Sequence, residues 1–227
     1  MKAVRTVRQA AGFLDRVGFA LLMPHRGLPM PTLWEAIRGR PGGHPFRPWT
    51  KESDLMWEWK DELPARRLAY YGAIWAGKPG FVSLSMLACL MRLWSAPLGP
   101  DGFRLSYREG MLSFDANRIC EALFYGKAMN TYRLRVRVGI ASSTFKRALS
   151  ELQKKLIIAK CGTDDSDTTW PAEVVDLSAR VFPSAHAEAG TLSFMEARED
   201  SLATIHAHSQ LTQEQAARLL RVGVDPK

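Results

Sequence analysis

Residues 131–162 constrain the fold most, because their pattern predicts two short helices joined by a tight turn and followed by a strand. Leu134 and Val138 lie four residues apart and therefore share one helical face. Gly139 can adopt the positive φ that ends the first helix. Ser142 can cap the second helix, because its hydroxyl can accept a backbone N–H that has no partner within the helix.

The second helix of this stretch has one apolar and one polar face. Its apolar residues recur at helical spacing and are Phe145, Ala148, Leu149, Leu152 and Leu156. The opposite face holds Ser143, Arg147, Ser150 and Lys154. The β-prone residues 157–159 come directly afterwards. A helix-turn-helix followed at once by a strand is typical of a winged helix.

Basic charge is concentrated in the same stretch. Residues 127–160 hold nine Lys or Arg and one acid, Glu151, a net charge of +8 that equals the net charge of the whole chain. Residues 1–126 carry +6 and residues 161–227 carry −6, so the remainder is balanced. A basic helix-turn-helix in an otherwise balanced chain indicates binding to nucleic acid.

We therefore predict binding to a nucleic-acid duplex, with DNA favoured over RNA, through the basic helix at residues 142–155. Two alternatives stay open, namely a solvated helix face with ordinary surface lysines and a three-helix unit that binds protein or serves only structure. The predicted binding residues are Arg133, Arg135, Arg137, Ser143, Lys146, Arg147, Ser150 and Lys154.

The loop after the predicted strand is acidic, which argues against DNA. Residues 162–169 are predicted to form the wing loop, and they include Asp164, Asp165 and Asp167. Wings normally approach phosphates, which carboxylates repel. Either this wing points away from DNA, or the unit contacts a basic protein surface. Cation binding is disfavoured because the glycine and the terminal glutamate of an EF-hand are missing.

The chain is predicted to be mostly α with a small β-wing, so that winged helix-turn-helix units pack with an N-terminal helical region. We expect a helical region at residues 1–112, which could include another winged-helix-like unit, a winged helix at 113–180 and a helical tail at 181–227. No internal sequence repeat is evident. Residues 170–177 should form the return strand of the wing, and Pro171 argues that this strand lies at an edge.

Three local predictions concern the chain before the winged helix. A helix is predicted to begin at Pro64 and to extend to Trp75. Residues 83–94 are apolar almost all round, which predicts a central buried helix. The alternation of apolar and polar residues at 103–107 predicts a strand.

No cofactor, metal site or membrane segment is predicted. Cys89, Cys120 and Cys161 lack metal-ligand spacing and fit a reducing compartment. His206 and His208 form the closest histidine pair, but they lie at a helix end without a third ligand nearby. The longest apolar run is too short to span a bilayer, and no signal peptide is evident, so a cytoplasmic protein is expected.

Two regions of the sequence resemble a known family. One contains residues 46–49 and the aromatic helix Leu-Met-Trp-Glu-Trp-Lys-Asp-Glu-Leu-Pro at residues 55–64, and the other is residues 116–162. Together they resemble the winged-helix crosslink DNA glycosylases, bacterial proteins that are built of winged-helix units. This resemblance implies a winged-helix fold, DNA as the partner and a place in DNA repair.

The chain departs from that family at the catalytic signature. The family carries Gln-x-Asp or Gln-x-Gln after its first helices, and this chain has no such tripeptide in that context. Gln213 and Gln215 have the spacing but belong to the C-terminal tail. The resemblance therefore implies fold and DNA binding more than catalysis.

A cluster of acids and tryptophans lies in the aromatic helix. Glu58, Asp61 and Glu62 recur at helical spacing, beside Trp57 and Trp59. Base excision needs a carboxylate or amide that positions water and an aromatic ring that holds the flipped base. If the chain is an enzyme, the three acids are the predicted catalytic residues and the two tryptophans are the base-stacking candidates.

The functional prediction is a winged-helix DNA-binding protein, with two alternatives. The first is a base-excision DNA glycosylase, which is disfavoured because the acids are equally explained by surface ion pairs. In that explanation Trp57 packs in the core, and Glu58 pairs with Lys60, Arg66 or Arg67. The second alternative is a protein-interaction or dimerisation module, in which the C-terminal helices form a homo-oligomer. The sequence does not specify a target site or lesion.

Overall fold

The computed structural model describes residues 2–94, 96–166 and 171–222, so the predicted wing acid Asp167 and the strand residue Trp170 lie outside it. Within these residues the chain is mostly helical and has two small antiparallel sheets. The prediction of a mostly α protein with a small β component is confirmed. The sheet of the N-terminal half was not expected.

The N-terminal half contains three helices and three strands within its described residues. We call this set the first unit. Its strands form an antiparallel sheet in the order β1-β3-β2. Gly80 lets β3 approach β1 closely, because a Cβ at this position would lie 2.6 Å from the carbonyl oxygen of Ala20. The elements are α1 (Val7–Val17), β1 (Phe19–Leu21), α2 (Leu33–Arg38), α3 (Lys51–Ala65), β2 (Tyr70–Trp75) and β3 (Lys78–Val82).

The predicted helix from Pro64 to Trp75 is wrong. Pro64 lies inside the last turn of α3, which ends at Ala65, and residues 70–75 form β2. Arg67 has a φ of 58°, which an α-helix cannot contain. The strand that follows is rich in aromatic side chains, which favour β structure when they are buried on a sheet.

The helices α4 (Leu84–Leu93) and α5 (Gly102–Arg108) connect the two halves. The first of them is the central buried helix that was predicted, and the Ser83 hydroxyl caps it by accepting the N–H of Met86 at 3.3 Å. The second replaces the predicted strand at residues 103–107. Phe103 and Ser106 of α5 are buried three residues apart, so the segment has the period of a helix rather than a strand.

The second half repeats the order of elements seen in the first unit, and we call it the second unit. Its strands lie in the order β4-β6-β5, so the first, third and second strands are neighbours in both sheets. The predicted order of helix, turn, helix and strand in residues 131–162 is confirmed. The elements are α6 (Phe114–Phe124), β4 (Met129–Asn130), α7 (Thr131–Val138), α8 (Ser142–Lys154), β5 (Ile158–Asp164) and β6 (Ala172–Leu177).

Details of the second unit both support and correct the sequence predictions. Gly139 ends α7 with a φ of 62°, as predicted. The N-cap of α8 is Ala141, and Ser142 is already the first helical residue. The prediction that the return strand is an edge is wrong, because β6 lies between β4 and β5. Pro171 comes directly before the first residue of β6, so its missing N–H deprives the sheet of no donor.

The C-terminal tail forms α9 (Ser178–Val181), α10 (Pro183–Thr191), α11 (Phe194–His208) and α12 (Gln213–Leu220). The helices α10 and α11 pack on α4, and α12 packs on α11. Their apolar residues belong to the same hydrophobic cluster as α4. The tail thus covers the central helix of its own chain. The buried members from the tail include Ala185, Ala189, Ala197, Ile205, Ala216 and Leu220.

The first and second units contact each other through α3 with β5 and through β2 with α8. The buried hydroxyl of Tyr70 lies 3.0 Å from the carbonyl oxygen of Gln153 and 3.1 Å from that of Ile158, and it can donate to either. Burial raises the pKa of Tyr70, which keeps this hydroxyl protonated as a donor. The junction holds the inner side of α8 and leaves its outer side exposed.

Candidate nucleic-acid interface

The predicted binding residues of α8 form one polar face. The stripe behind them is buried at Phe145, Ala148 and Leu152, which pack against α6 and fix the rotation of the helix. Leu149 is only half-buried, so it lies at the margin of the stripe. The polar face is half-buried at Ser150 and exposed at Ser143, Lys146, Arg147 and Lys154.

The three predicted arginines of α7 have different surroundings. Arg137 is exposed, and Arg135 is half-buried with its guanidinium carbon 5.6 Å from the ring centre of Tyr132. Arg133 is turned toward the loop after β5, where its Nη2 donates to Ser166 Oγ at 3.3 Å. These arginines therefore add positive charge on the helix that precedes α8.

Asp164, the last residue of β5, is held by its own chain. Asn130 caps α7 by accepting the N–H of Arg133 at 2.7 Å, and its Nδ2 donates to Asp164 Oδ2 at 2.7 Å. The N–H of Ser166 donates to Asp164 Oδ1 at 2.9 Å. Hydrogen bonds from Ser166 and Asn130, together with the charge of Arg133, lower the pKa of Asp164 to about 2. This carboxylate is thus engaged at the base of the loop.

Two charges of the basic stretch are absent from the α8 face. Glu151, the one acid of residues 127–160, accepts from the backbone N–H of Ser113 at 3.0 Å and from its hydroxyl at 2.6 Å. It therefore holds the start of α6. Lys160 is fully buried, so it adds nothing to the surface charge of the basic stretch.

A cavity of about 470 Å³ lies at the C-terminal end of α8, and some of the cations that line it were not predicted to be there. Lys154 lines it together with Arg218 and Arg221 from the tail. The Nη1 of Arg221 donates to the carbonyl oxygen of Lys154 at 3.1 Å, and its guanidinium carbon lies 3.9 Å from the ring centre of Trp94. Arg218 forms an ion pair with Glu214 at 2.8 Å, so the tail extends the positive surface of α8 through Arg221. These side chains come together only in the folded chain, because α8 and the tail are far apart in the sequence.

The tryptophans of the aromatic helix α3 face opposite environments. Trp59 is 3% exposed and packs in the core of the first unit, so the prediction that it stacks on a base is wrong. Trp57 is 45% exposed, which also excludes the alternative that it packs in the core. Its ring lies 6.3 Å from that of Phe46 in an edge contact, and the Nζ of Lys60 lies 4.6 Å from its centre. Trp57 remains a candidate for stacking.

Asp61 belongs to an ion-pair network at the junction of the two units. It accepts from Lys60 at 2.7 Å and also from Lys160 of β5. The Nζ of Lys160 lies 3.3 Å from Glu173 Oε1 and 5.3 Å from the ring centre of Tyr71. A buried ammonium needs such partners because desolvation of an unpaired charge is costly. This role of Lys160 was not predicted from the sequence.

The other two predicted acids do not share the partners of Asp61. Glu62 forms an ion pair with Arg66 at 2.5 Å, and Glu58 is exposed. The predicted catalytic acids are thus one member of a junction network, one member of a surface pair and one exposed side chain. The pairs that form, Asp61 with Lys60 and Glu62 with Arg66, differ from the predicted pairing of Glu58.

The sequence of this chain also matches a known protein family. A family model described as AlkZ related matches residues 4–221. The chain belongs to the AlkZ-related family. The resemblance noted from residues 46–64 and 116–162 is therefore confirmed at the level of the family, and the match extends over almost the whole chain. No curated protein and no solved structure matched this AlkZ-related chain.

Other kinds of site have little support in the described part of this AlkZ-related chain. No group of three His, Cys, Asp or Glu side chains there is arranged to hold a metal ion. No helix among residues 2–94, 96–166 and 171–222 has the length and apolar character needed to cross a membrane.

Proposed function

We propose that this AlkZ-related chain is a winged-helix protein that binds duplex DNA through the exposed face of α8. The observation that carries the proposal is the exposure of Lys146, Arg147 and Lys154 along the third helix of the second unit. A helix of this kind can enter the major groove while its cations and hydroxyls contact phosphates and base edges. Membership of the AlkZ-related family favours DNA as the partner.

The arrangement of elements supports the winged-helix assignment. In each unit a helix and a short strand precede two further helices, and two antiparallel strands close the unit. We assign one winged helix to residues 113–180, as the sequence predicted, and a second one to the first unit. The tail predicted at 181–227 then has its own role, because its described helices α10 and α11 cover α4.

The acidic wing loop is compatible with this proposal. Asp164 is occupied by Asn130 and Ser166 and lies near Arg133, so its charge is partly balanced within the unit. The repulsion expected from the sequence is therefore weaker than a count of carboxylates suggests. We expect α8, rather than this loop, to make the closest approach to phosphates.

A gel-shift series across salt concentration tests the proposed function. If α8 lies on DNA, the logarithm of the association constant should fall linearly with the logarithm of salt concentration, with a slope of about −0.9 for each phosphate contacted. A duplex of RNA with the same sequence serves as the comparison that separates the two nucleic acids. A chain that acts only as a protein-interaction or dimerisation module should shift neither duplex at any salt concentration.

A base-excision activity is the second candidate, because the family match favours it. The ion pairs of Asp61 and Glu62 weigh against it, because a carboxylate that positions water must be accessible to that water. We therefore propose DNA binding without base excision. Release of free base from alkylated duplex DNA is the measurement that separates these two functions.

A further inference from the structure

A surface on the first unit has exposed aromatic rings and arginines that the proposed function does not use. It is formed by residues 39–50, the loop between α2 and α3, and by the outer side of α3. We propose that this surface binds an unpaired segment of a nucleic-acid strand. We call Phe46, Trp49 and Trp57 the aromatic shelf.

The rings of the aromatic shelf are held in place before any ligand binds. Trp49 stacks on Phe46 with ring centres 5.7 Å apart and an angle of 21° between the planes, and its indole N–H donates to Asp54 Oδ1 at 2.6 Å. Trp57 meets the same phenylalanine edge-on, and the ammonium of Lys60 lies over the tryptophan ring. Because Phe46 is half-buried and packs on the core, it anchors both tryptophans.

Both tryptophans of the shelf nevertheless offer large apolar surface to solvent. Trp49 is 52% exposed and Trp57 is 45% exposed. Unpaired bases can stack on exposed indole rings that are held rigidly, since every base has a π-face. The bases of an intact duplex are already stacked on each other, so they cannot use such a platform without separation of the strands.

The loop on one side of the shelf carries cations that match the charge of a nucleic-acid backbone, whereas the α3 side carries the acids Asp54 and Glu58. Residues 38–51 contain four of them, Arg38, Arg40, Arg47 and Lys51, and no acid. Beside the shelf is a cavity of about 480 Å³, wide enough for a phosphate group. Its lining includes Arg5, Arg38, Arg40, Arg47 and Glu52.

The members of this cavity are not equally available to a phosphate. Arg38 already donates to the carbonyl oxygen of Gly42 and lies 5.3 Å from the ring centre of Trp34. The one lining acid, Glu52, lies 3.7 Å from Arg5 in an ion pair. Arg40 and Arg47 are exposed, and we assign the backbone contacts to them. Arginines next to exposed aromatic rings form the combination that binds single strands in other folds.

Binding of a fluorescein-labelled oligothymidine tests the proposal. A length of about twelve nucleotides lies within the roughly 4–16 nucleotides that one single-strand-binding domain covers. Fluorescence anisotropy should show binding to the full chain, and Trp49→Ala combined with Trp57→Ala should weaken it by about fivefold to a hundredfold for each stacked base. Trp49→Phe combined with Trp57→Phe should retain most of the affinity, because phenylalanine rings still stack.

The controls separate this surface from α8. A labelled duplex should bind the Trp49→Ala, Trp57→Ala variant within about twofold of the parent, whereas substitutions in α8 should weaken duplex binding first. Tyr125→Ala removes an exposed ring elsewhere on the chain and should leave oligothymidine binding unchanged. If removal of the tryptophans impairs folding, judged by circular dichroism, Arg40→Gln with Arg47→Gln provides the second variant, and it should weaken binding and flatten its salt dependence.

Three outcomes overturn the proposal. The first is oligothymidine affinity that stays within about twofold of the parent in both the tryptophan and the arginine variants. The second is an equal decrease of duplex and single-strand binding when the tryptophans are removed, which would assign the shelf to general DNA binding. The third is an absence of oligothymidine binding by the parent chain.

Discussion

The first and second units arrange their helices and strands alike, yet their third helices carry different chemistry. In both helices the buried stripe has the same spacing: Met56, Trp59 and Leu63 in α3, and Phe145, Ala148 and Leu152 in α8. The outer residues differ. The helix α3 presents Trp57 and Glu58, whereas α8 presents Lys146, Arg147 and Lys154. The shared topology thus accounts for the packing, and the outer side chains distinguish what each unit can bind.

The two third helices also differ in what covers them. Asp61 of α3 is drawn into the junction by Lys160 of the second unit, and β5 packs along that helix. The outer face of α8 meets no other described element along Lys146 and Arg147, which are exposed. Both helices therefore contact the other unit, α3 through β5 and α8 through β2. They differ in their outer faces, because α8 keeps exposed cations there.

The largest effect on stability is expected where the stripe of α8 is deepest. Leu152 is completely buried, so Leu152→Ala should lower the free energy of unfolding by roughly 2–5 kcal/mol. Leu149→Ala is the matched control, and it should cost less because Leu149 is only half-buried. Urea denaturation of both variants measures the difference. Equal decreases in stability would contradict the rotation of α8 described above.

A smaller decrease in the free energy of unfolding is expected when one ion-pair partner at the junction between the units is removed. Asp61→Asn leaves the buried ammonium of Lys160 with Glu173 alone, so it should lower the free energy of unfolding by about 1–3 kcal/mol. This is less than for a wholly buried pair, because the Asp61 side chain is 28% exposed and water screens it.

The matched control for Asp61→Asn is Lys160→Met, which removes the buried charge and keeps much of the side-chain volume. It should be close to neutral, because the carboxylates that it leaves behind are partly exposed and Asp61 keeps Lys60 as an ion-pair partner. Thermal unfolding monitored by circular dichroism compares the two. If Lys160→Met lowers the melting temperature more than Asp61→Asn does, the ion pairs of Lys160 make a net contribution to stability and do not merely compensate the cost of burying its charge.

The acidic loop of the second unit should respond to pH in a narrow window. Folding lowers the pKa of Asp164 from 3.8 to about 2, so its contribution to stability is complete above about pH 4. That contribution disappears as pH falls toward 2, when the carboxylate becomes protonated. NMR titration of the carboxyl carbon measures this pKa directly. A value at or above 3.8 would mean that Ser166 and Asn130 do not hold the carboxylate in solution.

The smallest expected signal is the release of free base from DNA. Because Asp61 and Glu62 are held in ion pairs, incubation with alkylated or crosslinked duplex DNA should release no free base. Chromatography of the released bases measures this. Release that disappears in Glu58→Gln or Asp61→Asn would instead assign catalysis to α3. Release that survives all three carboxylate substitutions would require an active site elsewhere in the chain.

The second unit was predictable from the sequence because its signals are local. Leu134, Val138 and Gly139 define α7 within one short stretch, and the stripe of α8 follows at regular spacing. The first unit was harder to predict. Its strand β1 has only three residues, and the aromatic run at 70–75 was assigned to a helix because buried segments lack a clear period.

The candidate site was predictable in part. The exposed face of α8 followed from periodicity, and the same argument could have placed Trp59 rather than Trp57 inside, because Met56, Trp59 and Leu63 share a helical face. The partners of Lys160 could not be found this way, since Asp61 lies 99 residues earlier in the chain. A lysine within the apolar run of β5 was the available signal that a buried partner exists.

The central claim is that the face of α8, rather than the overall positive charge, binds duplex DNA. It is tested most directly by the affinity of Arg147→Glu with Lys154→Glu, compared across salt with Arg8→Glu and Arg16→Glu on α1. Both pairs replace exposed arginine or lysine by glutamate, so they change the net charge equally. We expect the α8 pair to abolish binding, or to flatten the log–log salt slope by about 0.9 for each phosphate that the variant no longer neutralises. The α1 pair should bind nearly as the parent does. Equal effects of the two pairs, or unchanged affinity and slope in the α8 pair, would contradict the claim.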